Sequence, residues 1–321
     1  MFLTFDVMGD LAFGKPFGML ETEGLNGSDM FIKTMHGFSR VVGSVSNVPW
    51  FMLLLQWLPG LSGEFGNFER WCGHMVEKRK QFTPEKPDIF HFLLEAEPQN
   101  VGEHHIDLIA EAQLASVAGS DTTANTFINI FTQLANNPHT LQKLQHEIDA
   151  IYNAQYGTDK GSDDKGSDVP EVILNGNSAA TRYLDAVINE GLRLNPAVPS
   201  GAQRVTTEGG VTINELTALL PQNPDERSFP EPHKFMPERW YELDKEIIMK
   251  QKTAFIPFSV GAFGCVGKSL ALLELRMVTA KILHKFNVSS AEGNSVEKLY
   301  NNSFDGFTLL IGDIEVVFTP R

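Results

Sequence analysis

The residue with the most distinctive chemical surroundings in this sequence is Cys265, which lies in a segment with three glycines, Phe258–Gly267 (FSVGAFGCVG). The segment leads into helical periodicity, so free amide N–H groups and the helix dipole favour a thiolate there. Such a thiolate can act as a nucleophile or a metal ligand, and the glycines let a flat ligand approach the backbone. A small buried cysteine in a glycine turn is the alternative. Cys72 has no such loop around it and is predicted to be a core residue.

A second unusual segment, Ala118–Thr123 (AGSDTT), lies in the middle of a predicted helix. Its glycine, serine, aspartate and two threonines are poor helix formers, which indicates that something other than helix stability selects them. Asp121 stands beside the hydroxyl of Thr122, and Gly119 leaves room on one face of the helix. An acid next to a hydroxyl can pass protons to a buried ligand. A polar patch between packed helices is the alternative.

A third pattern pairs Glu190 with Arg193, three residues apart on one helical face. Such pairs are usually surface salt bridges that contribute little to stability. Here the segment Phe235–Trp240 (FMPERW) offers a second guanidinium, that of Arg239. The three side chains are therefore predicted to form one network.

The elements that must position these residues are mainly helices. Apolar residues recur at helical spacing over four segments. The predicted helices are Val101–Asn136, Thr140–Tyr152, Ala180–Leu194 and Ser269–Phe286. Thr253–Val260 is predicted to be extended, and the polar Gly157–Asp168 to be a mobile surface loop. The predicted fold class is mainly α with minor β.

The composition excludes several functions. The 321 residues carry 26 basic and 40 acidic side chains, a formal net charge of −14, which argues against a nucleic-acid partner because phosphate binding needs lysine and arginine. The basic cluster Lys78–Lys80 is predicted to be a solvated helix face. The longest apolar stretch, Val48–Leu58, is too short for a bilayer, which takes about 20 apolar residues.

These segments, in this order, resemble the motifs of the cytochrome P450 family of haem-thiolate monooxygenases. Phe258–Gly267 matches the haem-binding pattern F-x-x-G-x-x-x-C-x-G, and Ala118–Thr123 matches the oxygen-activating A-G-x-D/E-T-T motif. Glu190 and Arg193 match E-x-x-R, and Arg239 matches the arginine of the family's P-E-R-W segment. The phrases FDVMGDLAFG and RLNPAVPSG resemble fungal microsomal members.

The resemblance implies a cytochrome P450 fold and an enzyme that inserts one oxygen atom from O2 into a small, lipophilic substrate. Electrons would come from NADPH through a P450 reductase, and haem would be the cofactor, with Cys265 as the axial ligand of its iron. Asp121 and Thr122 would deliver protons. The other implied haem contacts are Phe258, Gly261, Gly267, Gly119 and Arg204, and the implied structural network is Glu190, Arg193 and Arg239.

The chain also departs from the family pattern. It starts in helix-like periodicity and corresponds to the family's C-terminal two-thirds, so residues 1–321 are expected to be a partial catalytic domain. The anchor that would hold a full-length relative in the endoplasmic reticulum membrane is expected to be missing, as are the early helices. Phe263 stands where the family usually has an arginine or histidine against a propionate, and Val211–Arg227 lacks an expected turn.

Two alternatives follow from these departures and from one further motif. The chain alone is expected not to be a competent enzyme, and an inactive relative that does not retain haem is the first alternative. The second is a P-loop nucleotide-binding protein, since Gly267–Ser269 (GKS) resembles the end of that motif. Ala262 stands where the motif needs a glycine, and no alternating strands and helices surround it.

Overall fold

A computed structural model describes residues 1–22, 28–45, 62–96, 107–157, 168–200, 226, 228–241 and 255–321. Arg204 and nearly all of the predicted loop 157–168 and of segment 211–227 lie outside the described residues. The described α-helices are α1 (Phe2–Phe13), α2 (Ser28–Val45), α3 (Ser62–Lys80), α4 (Ile89–Ala96), α5 (Leu108–Asn136), α6 (Pro138–Tyr156), α7 (Glu171–Asn175), α8 (Arg182–Leu194), α9 (Lys268–Lys285) and α10 (Val296–Asn301). The described strands are β1 (Phe286–Ser290), β2 (Phe304–Gly306), β3 (Thr308–Leu310) and β4 (Val316–Pro320). The predicted class, mainly α with minor β, is confirmed.

The chain divides into two compact units, and the division falls inside α5, between Ala124 and Asn125. The first unit comprises Met1–Ala124 and Asp305–Leu310. Its core is rich in phenylalanine, and the ring of Phe13 in α1 stacks on Phe90 in α4 at 4.8 Å between centroids.

The second unit comprises Asn125–Phe304 and Ile311–Arg321. Its core is an aliphatic cluster supplied by the C-terminal half of α5 and by α6, α8 and α9. Members that are at most 1 % exposed include Ile130, Leu134, Leu144, Ile148, Leu184, Ile188, Leu275 and Leu283. Strands β1 and β4 pair antiparallel, with Phe286 opposite Pro320 and Ser290 opposite Val316.

The helices predicted from periodicity are confirmed where the structure describes them. α5 ends at Asn136 as predicted, and the residues before Asp107 in that prediction lie outside the described part. α6 starts at Pro138, whose missing N–H costs nothing in the first helical turn. α8 and α9 begin and end within two residues of the predicted bounds.

Two sequence-based predictions were wrong. Arg79 in the basic cluster is buried rather than solvated, because it makes a bidentate ion pair with Asp88, with Nε–Oδ2 at 2.6 Å and Nη2–Oδ1 at 2.9 Å. The segment before the glycine loop is not extended: its described residues, 255–260, contain a turn at Pro257 and Phe258 and no strand. That second difference also removes the strand that a P-loop requires.

In the part of the chain that the structure describes, none of the helices combines the length and the apolar character needed to cross a membrane.

Candidate functional site

The cysteine loop, Phe258–Gly267, is held in shape by its own backbone. The amide of Cys265 donates a hydrogen bond of 2.8 Å to the carbonyl of Phe258, and that of Gly264 donates one of 3.0 Å to Gly261. Gly261 has a φ of 76°, a left-handed conformation that strongly favours glycine. α9 starts directly after Gly267, so the predicted position of the cysteine just before a helix is what the structure shows.

The surface of the cysteine loop is open and apolar. Cys265 is an exposed, free cysteine, in contrast to Cys72, which is fully buried as predicted and whose thiol pKa is raised to about 12, mainly by burial. Around Cys265 the side chains of Val260, Phe263 and Val266 are 68 %, 78 % and 103 % exposed. Isolated apolar residues are common on protein surfaces, but three beside one exposed thiol form a patch that a ligand can cover.

The structure brings Glu190, Arg193 and Arg239 together in a buried network. Both oxygens of Glu190 accept from Arg193, with Nε–Oε2 and Nη2–Oε1 each at 2.8 Å, and Arg239 Nε lies 3.2 Å from Oε1. The same carboxylate accepts from the amide of Met236 at 2.9 Å and from Trp240 Nε1 at 3.1 Å. All lone-pair directions of this buried carboxylate are therefore used.

The guanidinium groups of the network also bind main-chain carbonyls. Arg193 Nη1 donates to Pro232 O at 2.7 Å, and Arg239 Nη2 donates to Glu231 O at 2.6 Å. Burial lowers the pKa of Arg239, while the nearby Glu190 acts in the opposite direction. The network thus fastens the irregular segment 228–241 to helix α8.

One member of this segment connects the network to the cysteine loop. The ring of Trp240, whose Nε1 donates to Glu190, lies 4.4 Å from that of Phe255 between centroids. Phe255 is three residues before Phe258, the residue that accepts the hydrogen bond from the Cys265 amide. Glu190 is therefore connected to Cys265, within the second unit, through two side-chain contacts, the short main-chain segment from Phe255 to Phe258 and one backbone hydrogen bond.

The residues of the Ala118–Thr123 segment lie in the first unit, on an unbroken helical stretch of α5. Thr122 Oγ1 donates to the carbonyl of Ala118 at 2.8 Å. Asp121 is fully buried, and its Oδ1 lies 3.1 Å from His36 Nε2 in α2. Beside Gly119 the position of a β-carbon is filled by the side chain of Met8 in α1, so this glycine allows close packing of α1. Its implied contact with haem stays a prediction.

Comparison with known proteins identifies the family of this chain. The family model for cytochrome P450 matches residues 2–318. The chain belongs to the cytochrome P450 family. That match covers both the Ala118–Thr123 segment and the cysteine loop, and it agrees with the mainly helical fold.

The similar curated proteins are fungal P450 enzymes. The chain is 38 % identical over 333 residues to the cytochrome P450 monooxygenase FCK2 of Fusarium pseudograminearum, covering 100 % of this chain and 57 % of that protein. It is 31 % identical over 335 residues to the tryprostatin B 6-hydroxylase of Aspergillus fumigatus, and this match covers 100 % of this chain and 56 % of that protein. It is 30 % identical over 302 residues to the cytochrome P450 monooxygenase eupD of Phoma sp., and this match covers 88 % of this chain and 99 % of that protein. The chain spans little more than half the length of FCK2 and of the hydroxylase.

The described residues of the cysteine loop fit a haem, the cofactor that this family implies. The thiol of Cys265 is exposed and free, as an axial ligand must be before it binds iron. A β-carbon at Gly261 would meet no atom within 4 Å, so the backbone is open there. The exposed Val260, Phe263 and Val266 offer an apolar surface for a porphyrin ring.

The structure also shows candidate residues that the motifs did not reveal. Trp240 donates its indole N–H to Glu190. The signal for this contact in the sequence is that Trp240 directly follows Arg239, a member of the predicted ion network. Glu274 in α9 is 5 % exposed and its two carboxylate oxygens have no hydrogen-bond partner among the described residues. Burial raises the pKa of Glu274 to about 7. His36 is 85 positions from Asp121, and no local pattern indicates that pair.

Proposed function

We propose that this protein is a haem-thiolate monooxygenase that inserts one oxygen atom from O2 into a C–H bond of a small, lipophilic substrate. Two electrons per turnover come from NADPH through a reductase. The observation that carries the proposal is the exposed, free thiol of Cys265, at the centre of an open apolar loop in a chain of this family.

Haem, when bound, supplies the activation of O2 and the oxidation of the substrate. Cys265 would supply its sulfur as the iron ligand, and the electron density of a bound thiolate would favour cleavage of the O–O bond. Phe258, Gly261 and Gly267 set the shape of the loop that presents the sulfur. Val260, Phe263 and Val266 are exposed around the thiol, and with haem bound they would help to exclude water from the sulfur.

Glu190, Arg193 and Arg239 have a positioning role in this proposal. The path from Glu190 through Trp240 and Phe255 to the cysteine loop supports this role, because a shift of the segment 228–241 would move the ring that packs beside the loop. A buried ion network whose hydrogen bonds are all made is rigid and costly to break. The network therefore holds the loop that carries the iron ligand.

Asp121 and Thr122 are the proposed proton-delivery pair. Asp121 is buried with one oxygen lacking a partner among the described residues, so this oxygen is available to a water or to a neighbouring hydroxyl. The hydroxyl of Thr122 donates to the carbonyl of Ala118, and a hydroxyl group can both donate and accept hydrogen bonds.

The substrate class is proposed from the names of relatives. One is named as a hydroxylase of tryprostatin B at position 6 and others as monooxygenases. Hydroxylation of a C–H bond in an organic molecule of this kind is therefore the proposed reaction. A full-length protein bound to the endoplasmic reticulum, where its reductase would also be found, is part of the proposal.

The proposal is tested by the spectrum of the haem-reconstituted chain after reduction and exposure to carbon monoxide. The Soret band is expected at the red-shifted position that marks thiolate ligation, and Cys265→Ala should abolish this shift. Cys72→Ala is the matched control, because that thiol is buried in the first unit, and it should leave the shift in place. A spectrum that does not depend on Cys265 would refute the assignment.

The prediction that residues 1–321 alone are not a competent enzyme needs its own measurement. Haem content per chain should be compared between this chain and one extended upstream. We expect haem in the extended form and little in the short form. Stoichiometric haem and NADPH-dependent oxidation by residues 1–321 would overturn this prediction and leave the family assignment intact.

A further inference from the structure

The carboxylate of Asp121 is buried with an incomplete set of hydrogen bonds. Its side chain is 0 % exposed, and Oδ1 lies 3.1 Å from Nε2 of His36. Its other oxygen, Oδ2, has no hydrogen-bond partner among the described residues. Burying a carboxylate is costly unless hydrogen bonds replace its hydration, so packing alone does not account for this residue.

His36 is the contact that connects Asp121 to solvent. Its side chain is 26 % exposed, whereas that of Asp121 is inaccessible. Histidine is the side chain best suited to take up and release protons near neutral pH. A group that touches the buried acid at one end and water at the other has the geometry of a proton carrier.

Other charged groups near the pair come from the elements around it. In the part that the structure describes, the α-amino group of Met1 also interacts with Asp121; its pKa is lowered by burial and raised to a smaller extent by Asp121. Asp6 in α1 is occupied, because its carboxylate accepts the amides of Met19 and Leu20 at 2.9 Å and 2.8 Å. Lys33, on α2 with His36, is exposed to solvent.

We propose that His36 carries protons from solvent to Asp121, an inference that rests on the proposed proton-delivery role of Asp121. When Asp121 has given up its proton, the Nε2–H bond of the His36 imidazolium breaks and an O–H bond forms at Asp121 Oδ1. Both groups are then neutral, and the exposed ring takes a new proton from water. No oxidant or reductant takes part in this step.

The test compares His36→Gln with His91→Gln in the full chain. A glutamine amide at position 36 still donates a hydrogen bond to Asp121 but cannot take up a proton, so a merely structural role would survive the change. His91 is the matched control, since its Nε2 lies 3.4 Å from Glu95 in a more exposed pair, with side chains 33 % and 67 % exposed.

The first readout is nuclear magnetic resonance of the chain labelled with nitrogen-15 in its nine histidines, without haem. His36 should give an Nε2–H signal that is lost in His36→Gln, displaced in Asp121→Asn and retained in His91→Gln. The same spectrum with an acetylated N-terminus separates the effect of the Met1 amine. An Nε2–H signal that Asp121→Asn does not displace would overturn the pair and the proposal with it.

The second readout is NADPH oxidation by the haem-loaded form extended upstream, with a P450 reductase, in H2O and in D2O. General acid catalysis contributes factors of about 10² to 10⁴, so His36→Gln should slow oxidation at least about tenfold and enlarge the solvent isotope effect. His91→Gln should do neither. An unchanged rate in His36→Gln, with a normal carbon monoxide spectrum, would refute the relay alone. A wild-type extended form that binds haem without that spectrum would refute the proposed function as well.

Discussion

Glu190 and Asp121 are both fully buried carboxylates, but their surroundings differ. Glu190 accepts hydrogen bonds from two arginines, an indole and a main-chain amide, whereas the described contact of Asp121 is His36 on one oxygen. A carboxylate whose acceptor sites are all occupied by hydrogen bonds is held in place, because moving it breaks several bonds at once. Such a group is suited to holding other parts of the structure in position. A carboxylate with a vacant oxygen can exchange protons. The difference is consistent with the proposed positioning role of Glu190 in the second unit and the proposed proton-delivery role of Asp121 in the first.

The largest effect is expected from a substitution that breaks the hydrogen-bond network around Glu190. Arg193→Ala leaves Glu190 buried without its main partner, and removing one member of a buried ion pair typically costs about 3 to 5 kcal/mol. We expect a loss of this size in the free energy of unfolding and no haem incorporation. Urea denaturation and the Soret absorbance measure the two effects.

Two further variants make this result interpretable. Arg193→Lys keeps the charge but loses the bidentate geometry, so an intermediate loss is expected even if Arg193→Ala does not fold. Lys234→Ala removes an exposed pair with Glu231 and should cost at most about 1 kcal/mol. A loss for Arg193→Ala as small as that of Lys234→Ala would contradict a positioning role.

Glu274 is a third buried carboxyl to compare with Glu190 and Asp121, and neither of its oxygens has a hydrogen-bond partner among the described residues. Burial raises its pKa to about 7, so the folded state binds a proton that the unfolded state has already released between about pH 4.5 and 7. The free energy of unfolding should therefore fall as pH rises through this window, by at most about 3.5 kcal/mol at about 1.4 kcal/mol per unit.

Glu274→Gln should remove this fall, because glutamine remains neutral. The variant is expected to be more stable than the wild type at pH 8 and nearly equal to it at pH 4.5. Glu292→Gln, at an exposed position, is the control and should follow the wild-type curve. Parallel curves for the Glu274 variant and the wild type would show that this carboxyl has a partner when folded.

Trp240→Phe tests one hydrogen bond of the Glu190 network, the bond from the Trp240 indole N–H to Glu190. The variant keeps an aromatic ring beside Phe255 but loses the N–H donated to Glu190, and hydrogen bonds to charged groups contribute about 1.5 to 3 kcal/mol. We expect a loss of about 2 kcal/mol together with a lower haem content. Trp71→Phe, in the first unit, should leave haem content unchanged. An equal fall in haem content in both variants would show that Trp240 has no specific effect on the cysteine loop.

The smallest expected change in stability is at the proposed proton-delivery pair. Thr122→Ala removes a hydroxyl that bonds within its own helix and introduces a better helix former, so stability should change by less than about 1 kcal/mol. In an active full-length form, with haem, reductase and NADPH, more oxygen should be released as peroxide, since the proton for O–O cleavage arrives less reliably. Ser44→Ala removes the same type of bond in α2 and should not alter peroxide yield.

Local patterns in the sequence predicted much of this arrangement, because periodicity and spacing are short-range signals. The helix that ends at Asn136, the position of Cys265 before α9 and the joining of Glu190 with Arg193 and Arg239 were predictable in this way. Contacts set by tertiary packing were not. The burial of Arg79 depends on Asp88. The turn at Pro257 is closed by the amide of Ser259, which donates to the carbonyl of Ile256, and the positive φ of 57° at Ser259 is one that serine rarely adopts.

The central claim is that Cys265 binds haem iron through its sulfur, and X-ray absorption at the iron edge of the haem-loaded chain tests it most directly. The account predicts a sulfur scatterer bound to iron in the wild type and in Cys72→Ser, and its replacement by a lighter ligand in Cys265→Ser. A sulfur signal that persists in Cys265→Ser, or that is missing from the wild type, would contradict it.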